Sequence, residues 1–200
     1  MRIGVLVSGS GTNLQALLDA EASGALAGHV VVVISNKPAV GALDRAAKRN
    51  VPTAVISHRD HASREDFDRA LVAALRAHAV ELVVLAGFMR IVTPAFLDAC
   101  PQRVVNVHPA LLPSFPGVDA QAQALAYGAR VSGCTVHFVD TGVDTGPIIA
   151  QSPVPVLDDD TVDTLKARIL REEHRTLVAS VNAVASGRVR VEGRRVKFAP

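Results

Sequence analysis

The 200 residues are 49% apolar, enough for a packed core and too apolar for a disordered chain. A net charge of +2 gives no global field that would gather nucleic acid or a membrane surface, and two cysteines build no disulfide framework, which fits a reducing compartment. The first apolar run ends at Val7, too short for the core of a signal peptide, and no segment has the length of a membrane span, so a soluble cytoplasmic chain is expected.

Short apolar runs then alternate with helical patterns, an order that predicts an α/β fold: a Rossmann-like, mostly parallel twisted sheet with helices on both faces. Strands are expected at Ile3–Ser8, Val30–Ser35, Thr53–Ser57, Leu82–Ala86, Val104–His108 and Thr135–Val139. Helices near 13–23, 41–49, 63–78 and 93–99 separate the first five. Ser63, with Asp66 three residues on, approximates a capping box, and Phe67, Leu71, Ala74 and Leu75 supply the apolar stripe behind it. After the sixth strand a Gly- and Asp-rich loop, 140–147, leads into an extended stretch through Val156. A long helix is expected at about 161–186, with Asp158-Asp159-Asp160 capping its start and Gly187 closing it. Val189, Val191, Val196 and Phe198 alternate around Glu192-Gly193, which reads as a terminal hairpin with its basic residues outward. No repeat or composition break divides the chain, and a single domain over 1–200 is expected.

In a parallel sheet ligands bind beyond the carboxyl ends of the strands, at a switch point of the topology, and that rule selects the loops to search. The first is Ser8-Gly9-Ser10-Gly11-Thr12-Asn13-Leu14. Its glycines allow close backbone approach, the helix start offers free N–H groups, and Thr12 and Asn13 add donors. A dinucleotide fingerprint fails because Leu14 stands where a third glycine belongs, and no Gly-Lys-Ser/Thr makes a Walker loop. A plain tight turn and a site for one phosphate monoester remain.

The fifth strand ends Val104-Val105-Asn106-Val107-His108-Pro109, and alternation points Asn106 and His108 to one face, Val105 and Val107 to the other. Two polar residues there suit chemistry better than a core. The prolines at 109, 113 and 116 suit a rigid wall beside them. Asp140-Thr141-Gly142-Val143-Asp144-Thr145-Gly146-Pro147 reads either as an ordinary turn or as the source of a carboxylate for His108, if strands five and six are neighbours. The spacing is wrong for calcium. Glu173 fills a gap in the stripe Leu165, Ile169, Leu177, Val181, Val184 of the last helix. It either overhangs the core or faces inward toward a partner such as a sugar diol. His58 and His61 lack the companions of a metal site, and no metal is expected. The basic tail has no aromatic platform for single strands, so no nucleic-acid partner is expected.

Four motifs in order, Ser8-Gly9-Ser10-Gly11-Thr12-Asn13-Leu14-Gln15, Leu85-Ala86-Gly87-Phe88-Met89-Arg90-Ile91, Asn106-Val107-His108-Pro109-Ala110-Leu111-Leu112-Pro113 and Asp144-Thr145-Gly146-Pro147-Ile148-Ile149, resemble the phosphoribosylglycinamide formyltransferase family. The resemblance runs from about residue 1 to 198. It implies transfer of a formyl group from 10-formyltetrahydrofolate, as co-substrate, to the amine of glycinamide ribonucleotide. Asn106, His108 and Asp144 match the family's catalytic trio. Gly11, Thr12, Asn13 and Glu173 match its ribonucleotide contacts. Arg64, Met89, Arg90, Ile91, Val92, Asn106 and the stretch Asp140, Thr141, Gly142, Val143, Asp144 match its folate side. Arg64 or Arg90 suits the glutamate carboxylates and Ile91 and Val92 a pterin slot.

After Phe115-Pro116-Gly117 many family members continue Leu/Ala-His-x-His-Arg, whereas this chain reads Val118-Asp119-Ala120-Gln121-Ala122, so roles given to those histidines are absent. The resemblance leaves a homodimer open. The alternatives are a formyltetrahydrofolate deformylase, expected to carry a further amino-terminal domain, and a non-catalytic nucleotide-binding module, expected to lack the trio. A methionyl-tRNA formyltransferase is expected to carry a further carboxyl-terminal domain.

Overall fold

The computed structural model describes residues 1–199. Its strands are β1 (Arg2–Val7), β2 (His29–Ser35), β3 (Thr53–Val55), β4 (Leu82–Leu85), β5 (Val104–His108), β6 (Val131–Phe138), β7 (Ile148–Pro155), β8 (Val189–Glu192) and β9 (Arg195–Phe198). The helices are α1 (Thr12–Ala22), α2 (Gly41–Ala47), α3 (Arg64–Ala77), α4 (Pro94–Ala99), α5 (Ala120–Tyr127) and α6 (Val162–Ala185). All nine strands join one sheet in the order β3-β2-β1-β4-β5-β6-β7-β9-β8. The first five are mutually parallel, with the order reversing between β1 and β4. β6 and β7 run antiparallel, and the hairpin of β8 and β9 attaches where Arg195 pairs with Ile148.

Alternation along the strands divides the core between the two faces. Val5, Val7, Val84, Val105 and Val107 pack with Leu14 and Leu17 of α1 and Leu177 and Val181 of α6. Leu6, Val83, Leu85 and Val104 pack on the other face with Phe67 and Leu71 of α3 and Phe96 of α4. A strand apolar on both faces is stable only when both are covered, which the crossover helices accomplish.

Most expected elements stand within a residue or two of the sequence reading. α5 is the element that reading omits. Its Ala120-Gln121-Ala122-Gln123-Ala124 run carries too little side-chain contrast for a helical period to register. β6 starts at Val131, four residues earlier than expected, because pairing with β7 continues past Gly133. The cap of α6 is also different: Thr161 and Thr164 form a reciprocal capping box. Asp160 instead accepts both Arg168 Nη atoms at 2.7 and 2.8 Å, which holds its carboxyl far below the usual carboxylate range. At α3, Ser63 Oγ accepts the Asp66 amide at 3.0 Å as expected for an N-cap, but it also donates to the Asp66 carboxylate, so the box is not reciprocal.

One buried carboxylate joins the helices on the α3 face. Asp68, 2% exposed, accepts the Thr93 amide at 2.6 Å and fixes the start of α4. Asp68→Ala orphans that buried N–H, at a cost of about 1–3 kcal/mol. We expect the melting temperature to fall by roughly 3–10 °C in a thermal scan. Asp68→Asn, which keeps an acceptor, is expected to recover most of the loss, and equal melting of Asp68→Ala and the parent would remove the argument.

Candidate active site

The loop between β1 and α1 lies at the switch point of the sheet. Gly11 has φ +74°, a left-handed conformation, and a Cβ there would lie 2.6 Å from the Cα of Ala42. Glycine therefore serves both the turn and the close approach of α2. The first-turn amides of α1 have no partner within the helix and no side-chain cap at Gly11, so they remain available to an anion. Asn13, the third residue of this loop singled out in the sequence, donates its amide to Glu173 Oε2 at 2.7 Å, across 160 positions of chain. Glu173 faces inward at 7% exposure, so the inward reading of the gap in the α6 stripe holds. Burial pushes its pKa up, against the Asn13 bond and the charge of Lys166. Among the described residues its other carboxylate oxygen has no hydrogen-bond partner, and a hydroxyl could take it.

Ser8 connects this loop to the next one. Its hydroxyl accepts the Met89 amide at 2.9 Å and donates to Asn36 at 2.6 Å. Met89 and Ile91 turn outward, 63% and 54% exposed, as apolar surface that water does not favour. Val92 turns inward and packs with Phe67, Phe88 and Phe96, so it supports this rim from beneath. Arg64 donates to the Ile91 carbonyl at 3.0 Å. Arg64 and Arg90 line a cavity of about 210 Å³ with His58, His61 and Phe67.

On β5, Asn106 and His108 share a face, as alternation requires. The loop after β6 brings Asp144 to them by a route the strand-end rule does not describe. β6 is antiparallel, so Phe138 pairs with Val105 and the carboxyl end of β6 lies away from His108. Residues 139–147 fold back over the face instead. Gly146 makes that reversal: a Cβ would lie 1.8 Å from the Phe138 carbonyl oxygen. Asp140 Oδ1 accepts the Gly142 amide at 3.1 Å and the Thr145 hydroxyl at 2.6 Å. Arg194, from the terminal hairpin, donates to the Thr145 carbonyl at 2.9 Å, so one basic residue of that tail turns toward the loop.

Asp144 Oδ2 then lies 3.2 Å from His108 Nδ1 and accepts the Gly117 amide at 2.8 Å. Its Oδ1 lies 3.5 Å from Asn106 Nδ2 and 3.6 Å from His137 Nε2. His137 is the site residue that the sequence reading missed. It pairs directly across from Asn106, and its Nδ1 donates to the Phe138 carbonyl at 2.8 Å. Its Nε2 lies 3.2 Å from the Asn106 amide nitrogen and faces the Asp144 carboxylate as well. The signal was Thr135 and His137 alternating on one face of β6, but the antiparallel register that sets His137 against Asn106 is a tertiary fact.

The wall after Pro109 is anchored to the same face. Thr135 Oγ1 donates to the Ala110 carbonyl at 2.7 Å and accepts the Leu112 amide at 3.0 Å. The Leu112–Pro113 peptide is cis. The wall places the Phe115 carbonyl 2.8 Å from His108 Nε2. Both ring nitrogens of His108 thus face oxygen acceptors, which only the imidazolium satisfies by donation from both. Burial opposes that charge and lowers the His108 pKa, although Asp144 and the Phe115 carbonyl pull upward. Burial works against the Asp144 charge too, but His137, the Gly117 amide and His108 outweigh it and hold the carboxyl below the ordinary range. The result is an ionised carboxylate beside a histidine whose burial favours the neutral ring, the form that can accept a proton.

Among the described residues no cluster of three or more His, Cys, Asp or Glu has the arrangement of a metal site, and no helix is long and apolar enough to cross a membrane. Residues 1–181 match the model of the formyl transferase family, and the chain belongs to that family. A phosphoribosylglycinamide formyltransferase of Mycobacterium tuberculosis (strain ATCC 25618 / H37Rv) is 51% identical over 193 residues, 96% of this chain and 89% of that protein. The trifunctional purine biosynthetic protein adenosine-3 of Drosophila melanogaster is 52% identical over 190 residues, 92% of this chain. The chain spans about a seventh (14%) of the length of that insect relative. The crystal structure of glycinamide ribonucleotide transformylase 1 from Symbiobacterium toebii superposes with a TM-score of 0.99 at 51% identity, covering 100% of this chain and 94% of that one.

Proposed function

We propose that the chain transfers the formyl group of 10-formyltetrahydrofolate to the amine of glycinamide ribonucleotide, giving N-formylglycinamide ribonucleotide and tetrahydrofolate in purine synthesis. The observation that carries this reading is the contact of His108 Nδ1 with Asp144 at 3.2 Å, beside Asn106 and two strands from the loop at Gly11. Neighbouring strands are about 4.8 Å apart, so that spacing is roughly 10 Å, suited to a phosphorylated ribose carrying a short amide arm. The phosphate would meet the amides of Gly11, Thr12 and Asn13, and the ribose hydroxyls would meet Glu173. The folate would lie between Met89–Val92 and residues 140–144, with Arg64 and Arg90 toward its carboxylates.

In the reaction the amine attacks the formyl carbon and the carbonyl electrons move to oxygen. The Asn106 amide, whose contact with Asp144 is long at 3.5 Å, would turn that N–H to the oxyanion, and His108 lies beside it. His108 accepts at Nε2 the proton that the attacking nitrogen must lose, the substrate taking the place of the Phe115 carbonyl there, and Asp144 on Nδ1 stabilises the imidazolium. The proton then goes to the departing N10 of the folate as its bond to the formyl carbon breaks.

Mixing the protein with both substrates is expected to release tetrahydrofolate and an equal amount of formylated ribonucleotide. Release with formate and without need of the ribonucleotide would assign a deformylase instead. No release with either would refute both. A cytoplasmic location and a single domain belong to the same reading.

A further inference from the structure

The backbone of the loop at Ser8–Gly11 is oriented from behind by α2. The Gly9 carbonyl accepts the Ala42 amide at 3.1 Å. The Ser10 carbonyl accepts Arg45 Nε at 2.8 Å, while Arg45 Nη1 donates to the Gln15 side chain at 3.0 Å. Both peptides are trans, and in a planar trans peptide the N–H points opposite to the C=O. Anchoring the two carbonyls on α2 therefore turns the amides of Ser10 and Gly11 away from it, to the open side. Neither amide has a hydrogen-bond partner among the described residues. They continue the row of free first-turn amides of α1, and successive N–H groups of this kind form a concave cradle for an anion.

We infer that Arg45 is a positioning residue for this cradle: it sets the Ser10–Gly11 peptide plane and thereby the affinity for the ribonucleotide's phosphate, without touching substrate. This rests on the phosphate reading given above. Two features make arginine the suitable residue. Its planar fork gives directional bonds to two acceptors at once, which a lysine ammonium on a flexible stem does not reproduce. A charged donor on the Ser10 carbonyl also polarises the peptide, which makes the Gly11 amide a stronger donor to an anion.

The test is steady-state kinetics on the full chain with inorganic phosphate as a probe. In the parent, phosphate is expected to compete with the ribonucleotide and not with the folate. Arg45→Met is expected to raise the ribonucleotide KM and the phosphate inhibition constant about tenfold each, with kcat and the folate KM within twofold. Arg45→Lys, the variant safer for folding, is expected to fall between the two. If phosphate does not compete in the parent, the phosphate reading itself is wrong. If it competes in the parent and both variants keep the parent's KM and inhibition constant, only the role of Arg45 is refuted. A uniform fall in all parameters together with a lower melting temperature would likewise refute positioning in favour of a merely structural role.

Discussion

Asp144→Asn is expected to lower kcat by about a thousandfold, within the range that acid–base assistance supplies. The substitution keeps size and leaves an amide oxygen to accept the Gly117 amide, so the folded-back loop retains one of its ties. What it removes is charge. Burial already lowers the His108 pKa, and Asp144 is the strongest influence in the other direction. Without it the imidazolium formed as the amine gives up its proton has no counter-charge in a site where His108 is 4% exposed. The limb of the kcat–pH profile that His108 controls should therefore move to lower pH, because an upward influence on its pKa is lost. A kcat and profile equal to the parent's would end the assignment of Asp144.

The same carboxylate gives a stability test with a definite sign. Its folded pKa is below the ordinary value, so its ionised form stabilises the fold above the unfolded carboxylate pKa of about 4. That contribution is lost as pH falls through the folded value. In denaturant titrations the gap between parent and Asp144→Asn should be full at pH 7 and should shrink on acidification below about pH 4. A gap independent of pH would contradict the direction of the shift.

Gly11→Ala is expected to lower kcat/KM for the ribonucleotide about thirtyfold and to leave the folate KM unchanged. A left-handed backbone costs a non-glycine residue about 1–2 kcal/mol, before any clash. Here the added Cβ would also meet Ala42 backbone at 2.6 Å, so α2 must move, and the anchors on Gly9 and Ser10 move with it. A hydrogen bond to a charged group is worth about 1.5–3 kcal/mol, so misdirecting one amide of the cradle accounts for a thirtyfold effect. The melting temperature should fall as well, by roughly 2–4 °C per kcal/mol. Lower stability with an unchanged ribonucleotide KM would mean that the turn is structural only.

The parallel half of the sheet was legible in the chain because its strands are apolar on both faces and its helices amphipathic, patterns that local sequence carries by itself. The same holds for the pairing of Asn106 with His108, since alternation along one strand needs no partner to be known. The Gly-rich loop could be named as turn or phosphate site, but not divided between them. The antiparallel half was less accessible. The direction and register of β6 decide that His137 faces Asn106, and they rest on pairings between residues 31 positions apart. α5 left no trace because alanines supply helix without contrast. Asp144 stood between these cases: its position in a turn was visible, its reach was not. Sequence alone determined which residues could do chemistry, because side-chain type and local period are properties of the chain. Only the tertiary structure decided which of them meet, because the distances that make His108 and Asp144, or Asn13 and Glu173, into pairs are set by the packing of the whole sheet.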